Sequence, residues 1–323
     1  MTVLLGVDVG GTTTAAGLVT RDGAVRFEQR AATHAAGPGS AWQTIVALVE
    51  RALRDASARG VTVEGIGVGI PGVVDTVTGR VGDEAAHVED LRNQPVGPRL
   101  AERFGLPVFV DNDVNALALG EHYFGLGRGM PSLVVLAAGT GFGAGIVLDG
   151  ALVRGAHGFG GEFGHVPVKF DGVPCFCGGR GCLAAYASGR GIADRARDRV
   201  AGDAGAPLLA RAGGDPVALT APVVFAAAAE GDPDAAAVVS DACRALGAMI
   251  AVIVNGLNPD VVVVTGGVAG AYAPLEATVL RWAAEHAFPR ALAGTTVRLV
   301  AGDKGSTMRG AAALVLYETA RRR

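Results

Sequence analysis

Charge is scarce in this chain of 323 residues. Only 18% of them are charged, and 28 basic side chains against 31 acidic ones leave a net charge of −3 and a pI near 6.1. No basic run occurs apart from Arg321-Arg322-Arg323, which argues against a nucleic-acid-binding surface. Lysine is nearly absent, Lys169 and Lys304 being the only two. So marked a preference for arginine is the mark of a GC-rich genome and carries no functional weight. Cysteine is scarce as well: there are four, and three of them crowd into Cys175, Cys177 and Cys182, ligand spacing rather than the framework of a disulfide-stapled secreted domain. The start, Met1 to Asp8, has neither the basic lead nor the long apolar stretch of a signal peptide, so a cytoplasmic protein is expected. One long uncharged stretch, Gly129 to Leu148, is interrupted by glycines, Ser132 and Thr140 and suits strand, turn and strand better than a membrane span.

Apolar residues, by contrast, are abundant. Half the chain is hydrophobic, which excludes disorder and suffices for about two compact domains. Val3 to Val9 reads as a buried strand, Gly10-Gly11 as a turn and Thr12 to Thr20 as a second strand, with Asp22-Gly23 turning into a third. Ser40 with Gln43 makes a capping box, and Trp42, Ile45, Val46, Val49 and Leu53 recur at helical spacing until Gly60. A strand from Val63 to Ile70 ends in Pro71-Gly72; a short helix through Leu100 and Phe104 leads to another strand, Pro107 to Val110. From Leu133 the opening layout repeats, with Leu133 to Ala138, then Gly139-Thr140-Gly141, then Phe142 to Leu148. A helix opened by Asp232-Pro233 closes at Gly256, the strand Val261 to Val264 runs into Gly266-Gly267, and a last helix spans Ser306 to Arg321. The segment Gly202 to Pro222, rich in Gly, Ala and Pro, reads as mobile surface. The expectation is a small α/β domain over residues 1–112, completed by the C-terminal helix 306–323, and a large α/β domain over 113–305, with a small-molecule cleft between them.

Several residue groups carry possible chemistry. Asp8-Val9-Gly10-Gly11-Thr12 sets an acid at a strand end before two glycines whose backbone can approach a phosphate closely, and Gly139-Thr140-Gly141 offers the same in the second half. A single such turn is most often just a hairpin. Two together suit a polyphosphate, with Asp8 holding its metal ion. In Asp111-Asn112-Asp113-Val114-Asn115 a strand gives way to a helix: either Asn112 and Asp113 are a helix cap and a first-turn acid, or Asp113 is a general base beside a substrate-orienting Asn112. Cys175, Cys177 and Cys182 with His165 make a complete tetrahedral set for a structural zinc ion, and Cys243 reads as a core residue.

Together these motifs resemble the ROK family (repressors, open reading frames, kinases), sugar kinases of the two-domain actin-like ATPase, or ribonuclease H-like, fold. The resemblance covers nearly the whole chain. It implies that the turns containing Asp8, Gly10, Gly11, Thr12 and Thr13 and containing Gly139, Thr140 and Gly141 bind the phosphates of ATP with Mg2+, that Gly266 and Gly267 lie beside the adenosine, and that Asp113 is the catalytic base. Substrate contacts are implied for Asn112, Asp113, Glu162, His165 and Gly72, and zinc ligation for His165, Cys175, Cys177 and Cys182 in the Cys-x-Cys-Gly-x-x-Gly-Cys signature. Only seven residues precede Asp8, whereas family repressors carry a helix-turn-helix domain there, so a repressor is not expected. The nearest pattern is that of bacterial glucokinases, including Tyr186-Ala187-Ser188-Gly189-Arg190.

Three positions depart from that pattern. Thr13 stands where glucokinases usually have lysine. Ala184 replaces a glutamate that meets the sugar, and Val88-Glu89-Asp90-Leu91 replaces a segment with a sugar-binding asparagine. Losing two buried polar contacts, each of about 1 kcal/mol or more, disfavours glucose by at least about tenfold. The expected acceptor is the exocyclic primary hydroxyl of an amino sugar, whose ammonium Glu89 or Asp90 would meet, or of a cyclitol. Ordinary glucokinase and a non-catalytic sugar sensor are the competing readings. The family further implies a homodimer or homotetramer.

Overall fold

The computed structural model describes residues 1–85, 88–202, 206–303 and 305–322. In chain order the main strands are β1 (Thr2–Val9), β2 (Thr13–Val19), β3 (Val25–Ala32), β4 (Thr62–Ile70), β5 (Val108–Asn112), β6 (Leu133–Ala138), β7 (Phe142–Leu148), β8 (Ala151–Leu152), β9 (Val261–Thr265) and β10 (Thr296–Leu299). The main helices are α1 (Ala41–Ala58), α2 (Val96–Phe104), α3 (Asp113–Phe124), α4 (Gly189–Val200), α5 (Pro233–Leu257) and α6 (Ser306–Arg321). They form two compact units, one of residues 1–132, 145–160 and 303–323, the other of residues 133–144 and 161–302. The units group residues differently from the border expected at 113. Residues 113–132 pack with the first unit, because α3 lies along α6, Gly120 and the Ala116 carbonyl meeting Gly310 at backbone distance.

The two five-stranded sheets have the same strand order, β3-β2-β1-β4-β5 and β8-β7-β6-β9-β10. In the first, β2 is antiparallel to β1 and β3, while β1, β4 and β5 run parallel. In the second, β8 is antiparallel to β7, while β6, β9 and β10 run parallel. The repeat visible in the sequence is therefore a repeat of sheet topology, the duplicated ribonuclease H-like layout of the actin-like ATPase fold. Gly129 to Leu148 forms strand, turn and strand as expected.

Side chains alternate across a strand, so each face of the first sheet carries its own layer. Val3, Leu5, Val7 and Val9 meet Ile45, Leu48, Val49 and Ala52 of α1 in one buried cluster. Each fully buried Leu, Ile or Val stabilises by about 1.5–3 kcal/mol. Ser40 is the residue before α1, but no capping box forms: its hydroxyl turns back to donate to the Gly37 carbonyl (2.7 Å) and accepts from the Ala36 N–H. Asp90 reaches the helix start instead, its carboxylate accepting from the Trp42 N–H at 3.3 Å.

Helix α6 covers the opposite face, and it lies unusually close. A Cβ at Gly67 on β4 would collide with the Ala311 carbonyl oxygen, and one at Gly6 on β1 with that of Met308. In the second unit α5 is a core helix with Asp232 as its cap, its Oδ1 accepting from the Asp234 and Ala235 N–H groups. Among the described residues it is the one helix long and apolar enough to cross a membrane, and two thirds of that stretch is buried. Cys243 on α5 is a buried core residue whose thiol burial pushes up to about 11. Of the segment Gly202 to Pro222, residues 203–205 lie outside the described residues. The rest does lie largely at the surface, but it is anchored there: Leu208 and Leu219 are fully buried, and Arg197 donates to the carbonyls of Pro216, Val217 and Leu219.

Gly67→Ala tests the seat of α6. Overpacking at a backbone-to-backbone approach should lower stability by about 1–3 kcal/mol or more, read as a drop in Tm by calorimetry; an unchanged Tm would mean that the helix does not rest on β4.

Candidate active site

The polar residues of the first unit collect at the carboxyl ends of its parallel strands. Asp8 is the penultimate residue of β1. Its Oδ2 accepts from the Thr307 hydroxyl, in the first turn of α6, at 2.7 Å. Burial pushes this carboxyl above the usual range, opposed by the Thr307 hydrogen bond and the nearby charge of Arg30. Asp8, Ala15 and Arg30 occupy one row across β1, β2 and β3, so all three side chains leave the same face. In the following turn the Gly10 N–H donates to the Thr13 carbonyl, while Thr33 donates through its hydroxyl to the Gly10 carbonyl and through its N–H to the Thr12 carbonyl. These carbonyl oxygens are thereby tied back, and Gly11, Thr12 and Thr13 lie exposed, a turn that an anion can approach without meeting lone pairs.

At the end of β5, Asn112 caps α3. Its Oδ1 accepts from the N–H groups of Val114 (2.9 Å) and Asn115 (3.1 Å), and its Nδ2 donates to the Gly72 carbonyl at 3.0 Å. The second Nδ2 hydrogen is not used by these bonds. Gly72 holds a positive φ of 100°, which favours glycine, and turns its carbonyl toward Asn112. Asp113 is the first residue of α3, half-buried, with its Oδ1 2.9 Å from the Val114 N–H. The cap and the first-turn acid of the simpler reading are both present, and they hold the two side chains at the helix's positive end. Beneath them Asp111 is buried and paired: Arg154 donates to its Oδ2 at 2.8 Å, and Asn115 Nδ2 and the Asn112 N–H donate to its Oδ1. Glu89 is exposed and paired with Arg92 at 3.3 Å. Asp90 spends one oxygen on α1, and its other, Oδ1, is buried without a hydrogen bond among the described residues.

The glycine turns of the second unit are neighbours, because β6 and β9 are. The Val268 N–H, just past Gly266 and Gly267, donates to the Ala138 carbonyl beside Gly139, and Gly266 holds a φ of 110° with no room for a Cβ against Ala138. Gly139 and Gly141 face open space. The start of α4 docks on the same turn, the Gly189 and Arg190 N–H groups donating to the Gly139 and Thr140 carbonyls, with Ser188 capping the helix through the Gly191 N–H. A helix N-terminus thus lies directly against the Gly139-Thr140-Gly141 turn, which favours negative charge there.

His165, Cys175, Cys177 and Cys182 also converge, their ligand atoms all lying within 4.8 Å of one another. Cys177 Sγ is 3.8 Å from Cys182 Sγ, and His165 Nδ1 is 3.7 Å from Cys175 Sγ. Tetrahedral zinc with Zn–S bonds of about 2.3 Å requires sulfur–sulfur edges of about 3.8 Å, whereas a disulfide needs about 2.05 Å. Burial and the neighbouring sulfurs push the Cys182 thiol up to about 12, while the Gly179 N–H holds Cys177 below its ordinary value. Three thiols this close resist ionising together, a conflict that a dication resolves. His165 is therefore engaged with the sulfurs. Glu162 is exposed, three residues earlier, at the start of the short helix Phe163–His165 that carries the histidine into the cluster.

Residues 4–318 match the family model described as the ROK family. The chain belongs to the ROK family. It is 35% identical over 268 residues to a glucokinase of Thermotoga maritima, covering 83% of each chain. Over 323 residues it is 30% identical to the N-acetyl-D-glucosamine kinase of Salmonella paratyphi A, covering 97% of this chain and 99% of that one. The structure of a ROK family glucokinase from Streptomyces griseus, in complex with glucose and AMPPNP, superposes with a TM-score of 0.74 at 32% identity over 97% of this chain and 98% of that one. For a ROK member, the sequence motifs identified most of the polar cluster but missed Arg154, Thr307 and Thr33. Arg154 and Thr307 lie 43 and 299 positions from the acids they serve, and no local spacing marks them.

If the four ligands hold zinc, elemental analysis of purified protein should give about one zinc per chain, and Cys177→Ser should lose it with a Tm lower by about 5 °C or more. A metal-free wild-type protein of full thermal stability would contradict this.

Proposed function

We propose that this chain transfers the γ-phosphoryl group of ATP to the exocyclic primary hydroxyl of a hexose or hexose-like ring, an amino sugar or a cyclitol in preference to glucose. The Asn112–Asp113 turn carries the reading. Transfer to an alcohol requires a carboxylate to accept the hydroxyl proton, and Asp113 is that base in this proposal. Asn112, its carbonyl oxygen committed to the cap, has an N–H with which to orient the ring. Gly72 serves as the backbone wall that fixes Asn112.

Nucleotide roles are assigned within each unit by itself. In the first, the turn of Gly10, Gly11, Thr12 and Thr13 offers phosphate contacts, and Asp8, a carboxylate whose burial is only partly offset, is the residue that would hold Mg2+. Bound there, Mg2+ would neutralise charge developing on the phosphates. In the second, Gly139, Thr140 and Gly141 at the start of α4 take phosphate, and Gly266 with Gly267 leaves room for the adenosine. His165, Cys175, Cys177 and Cys182 hold a structural zinc that shapes the loop beside Glu162, itself assigned to the ring hydroxyls. A cytoplasmic location suits an ATP-consuming enzyme with reduced thiols.

Two observations support a substrate other than glucose. Ala184 is fully buried and has no polar atom to offer, and Val88 and Leu91 are turned into the core. Asp90 Oδ1, without a hydrogen bond among the described residues, is an acceptor that an ammonium or a ring hydroxyl would satisfy; Glu89, exposed and ion-paired, is the weaker choice. Glucose itself is the second reading, favoured by the relatives named as glucokinases.

Coupled ADP release measured with glucose, N-acetylglucosamine, 3-amino-3-deoxyglucose and a C7-cyclitol decides between them. One of the last two is expected to exceed glucose in kcat/KM by at least about tenfold; glucose as the best acceptor would return the protein to ordinary glucokinase. Asp113→Asn should retain ATP binding while losing roughly a thousandfold in kcat. Near-normal turnover in that variant would remove Asp113 as the base, and silence of the wild type with every sugar would leave a sensor.

A further inference from the structure

We infer that Arg154 is a positioning residue for the transfer, aligning Asn112 and Asp113 through the carboxylate of Asp111; the inference rests on the kinase reading above. Asp111 is 2% exposed, and a carboxylate so buried must be matched by charge and hydrogen bonds. The match is complete: Arg154 binds Oδ2, and the Asn112 N–H at 2.7 Å and Asn115 Nδ2 at 3.0 Å bind Oδ1. Both donors on Oδ1 belong to the turn that presents the proposed base. The Asn112 N–H sets the peptide plane leading into the turn, and Asn115 fixes the first turn of α3 from the other side of Asp113. As long as Asp111 carries its charge, these two bonds hold Asn112 and Asp113 in register with the end of β5.

Arg154 is built to keep that charge in place. It follows β8, whose Leu152 N–H donates to the Tyr317 hydroxyl on α6 at 2.8 Å. Its guanidinium lies 5.5 Å from the centre of the Tyr317 ring and bonds Glu318 at 2.5 Å with the same NH2 group that approaches Asp111. A planar fork held by a ring and two carboxylates is a rigid reference point, which an ammonium on a flexible stem cannot reproduce. Glu318 pairs with the guanidinium and, among the described residues, makes no hydrogen bond to the turn. The two carboxylates therefore have separable roles: Asp111 transmits position, and Glu318 anchors the arginine to α6. Misplacing a reacting group by about 1 Å costs on the order of a hundredfold in rate, so loosening Asp111 should appear in kcat even where the fold survives.

The test compares wild type, Arg154→Lys, Asp111→Asn and Glu318→Gln by steady-state kinetics with the best acceptor, ATP titration and thermal unfolding. Arg154→Lys and Asp111→Asn should lose about tenfold to a hundredfold in kcat with the KM for ATP within about twofold. Glu318→Gln should lower Tm while keeping kcat within about twofold. Wild-type kcat in either folded Arg154→Lys or folded Asp111→Asn, or an equal kcat loss in Glu318→Gln, would overturn the positioning role in favour of a purely structural ion pair. Should Arg154→Lys fail to fold, the isosteric Asp111→Asn decides alone. A wild type that phosphorylates no sugar would instead sink the kinase reading, and the inference with it.

Discussion

Helix α6 rests on the first sheet at backbone distance, and much of that unit's polar architecture follows from this one approach. It is possible because Gly6 and Gly67 present no Cβ to the helix carbonyls above them. At the start of the helix Thr307 reaches the carboxylate of Asp8, and near its end Tyr317 and Glu318 hold β8 and Arg154. A helix lifted by even one methyl group would loosen both ends together, since interiors packed to crystal density transmit such displacements rather than absorb them. The polar groups are thus fixed by an apolar requirement.

The duplicated sheet explains where those polar groups lie. In each unit the parallel strands are buried on both faces and too apolar to carry chemistry along their length, so acids and glycines collect where the strands end. Asp8, Gly72 and Asn112 stand at or just beyond the ends of β1, β4 and β5, and Gly139 and Gly266 just beyond β6 and β9. Loop groups held on such a scaffold are preorganised without strain in the strands themselves. The His165, Cys175, Cys177 and Cys182 cluster follows a different logic. Its loop buries little apolar surface, with Phe170 and Phe176 exposed, so four converging ligand atoms rather than a core mark this part of the chain.

How far these features could be read from sequence depends on the range of the interactions behind them. Cysteine spacing, the glycine turns and the caps at Asp232 and Asn112 were legible because each is completed within a few residues. The capping box that Ser40 and Gln43 spell does not form: the Ser40 hydroxyl is drawn to Gly37, and the helix start is served by Asp90, 48 positions from Trp42. The segment Gly202 to Pro222 looked loose by composition, yet Arg197 pins its carbonyls from a neighbouring helix. Asp111 stood in plain view after an apolar strand, but its partner could not be chosen among so many arginines.

The amino-acid sequence by itself determined most strands and helices of the first unit, the strand-turn-strand repeat, the grouping of His165 with the three cysteines and the turn that carries Asp113, because hydrophobic period, turn chemistry and close spacing are properties of short stretches of chain. Only the tertiary structure decided which cation neutralises Asp111, which acid caps α1 and which hydroxyl meets Asp8. Those pairings are made by side chains from distant segments, brought together when apolar layers close around them, and burial then leaves each charge no water as an alternative partner.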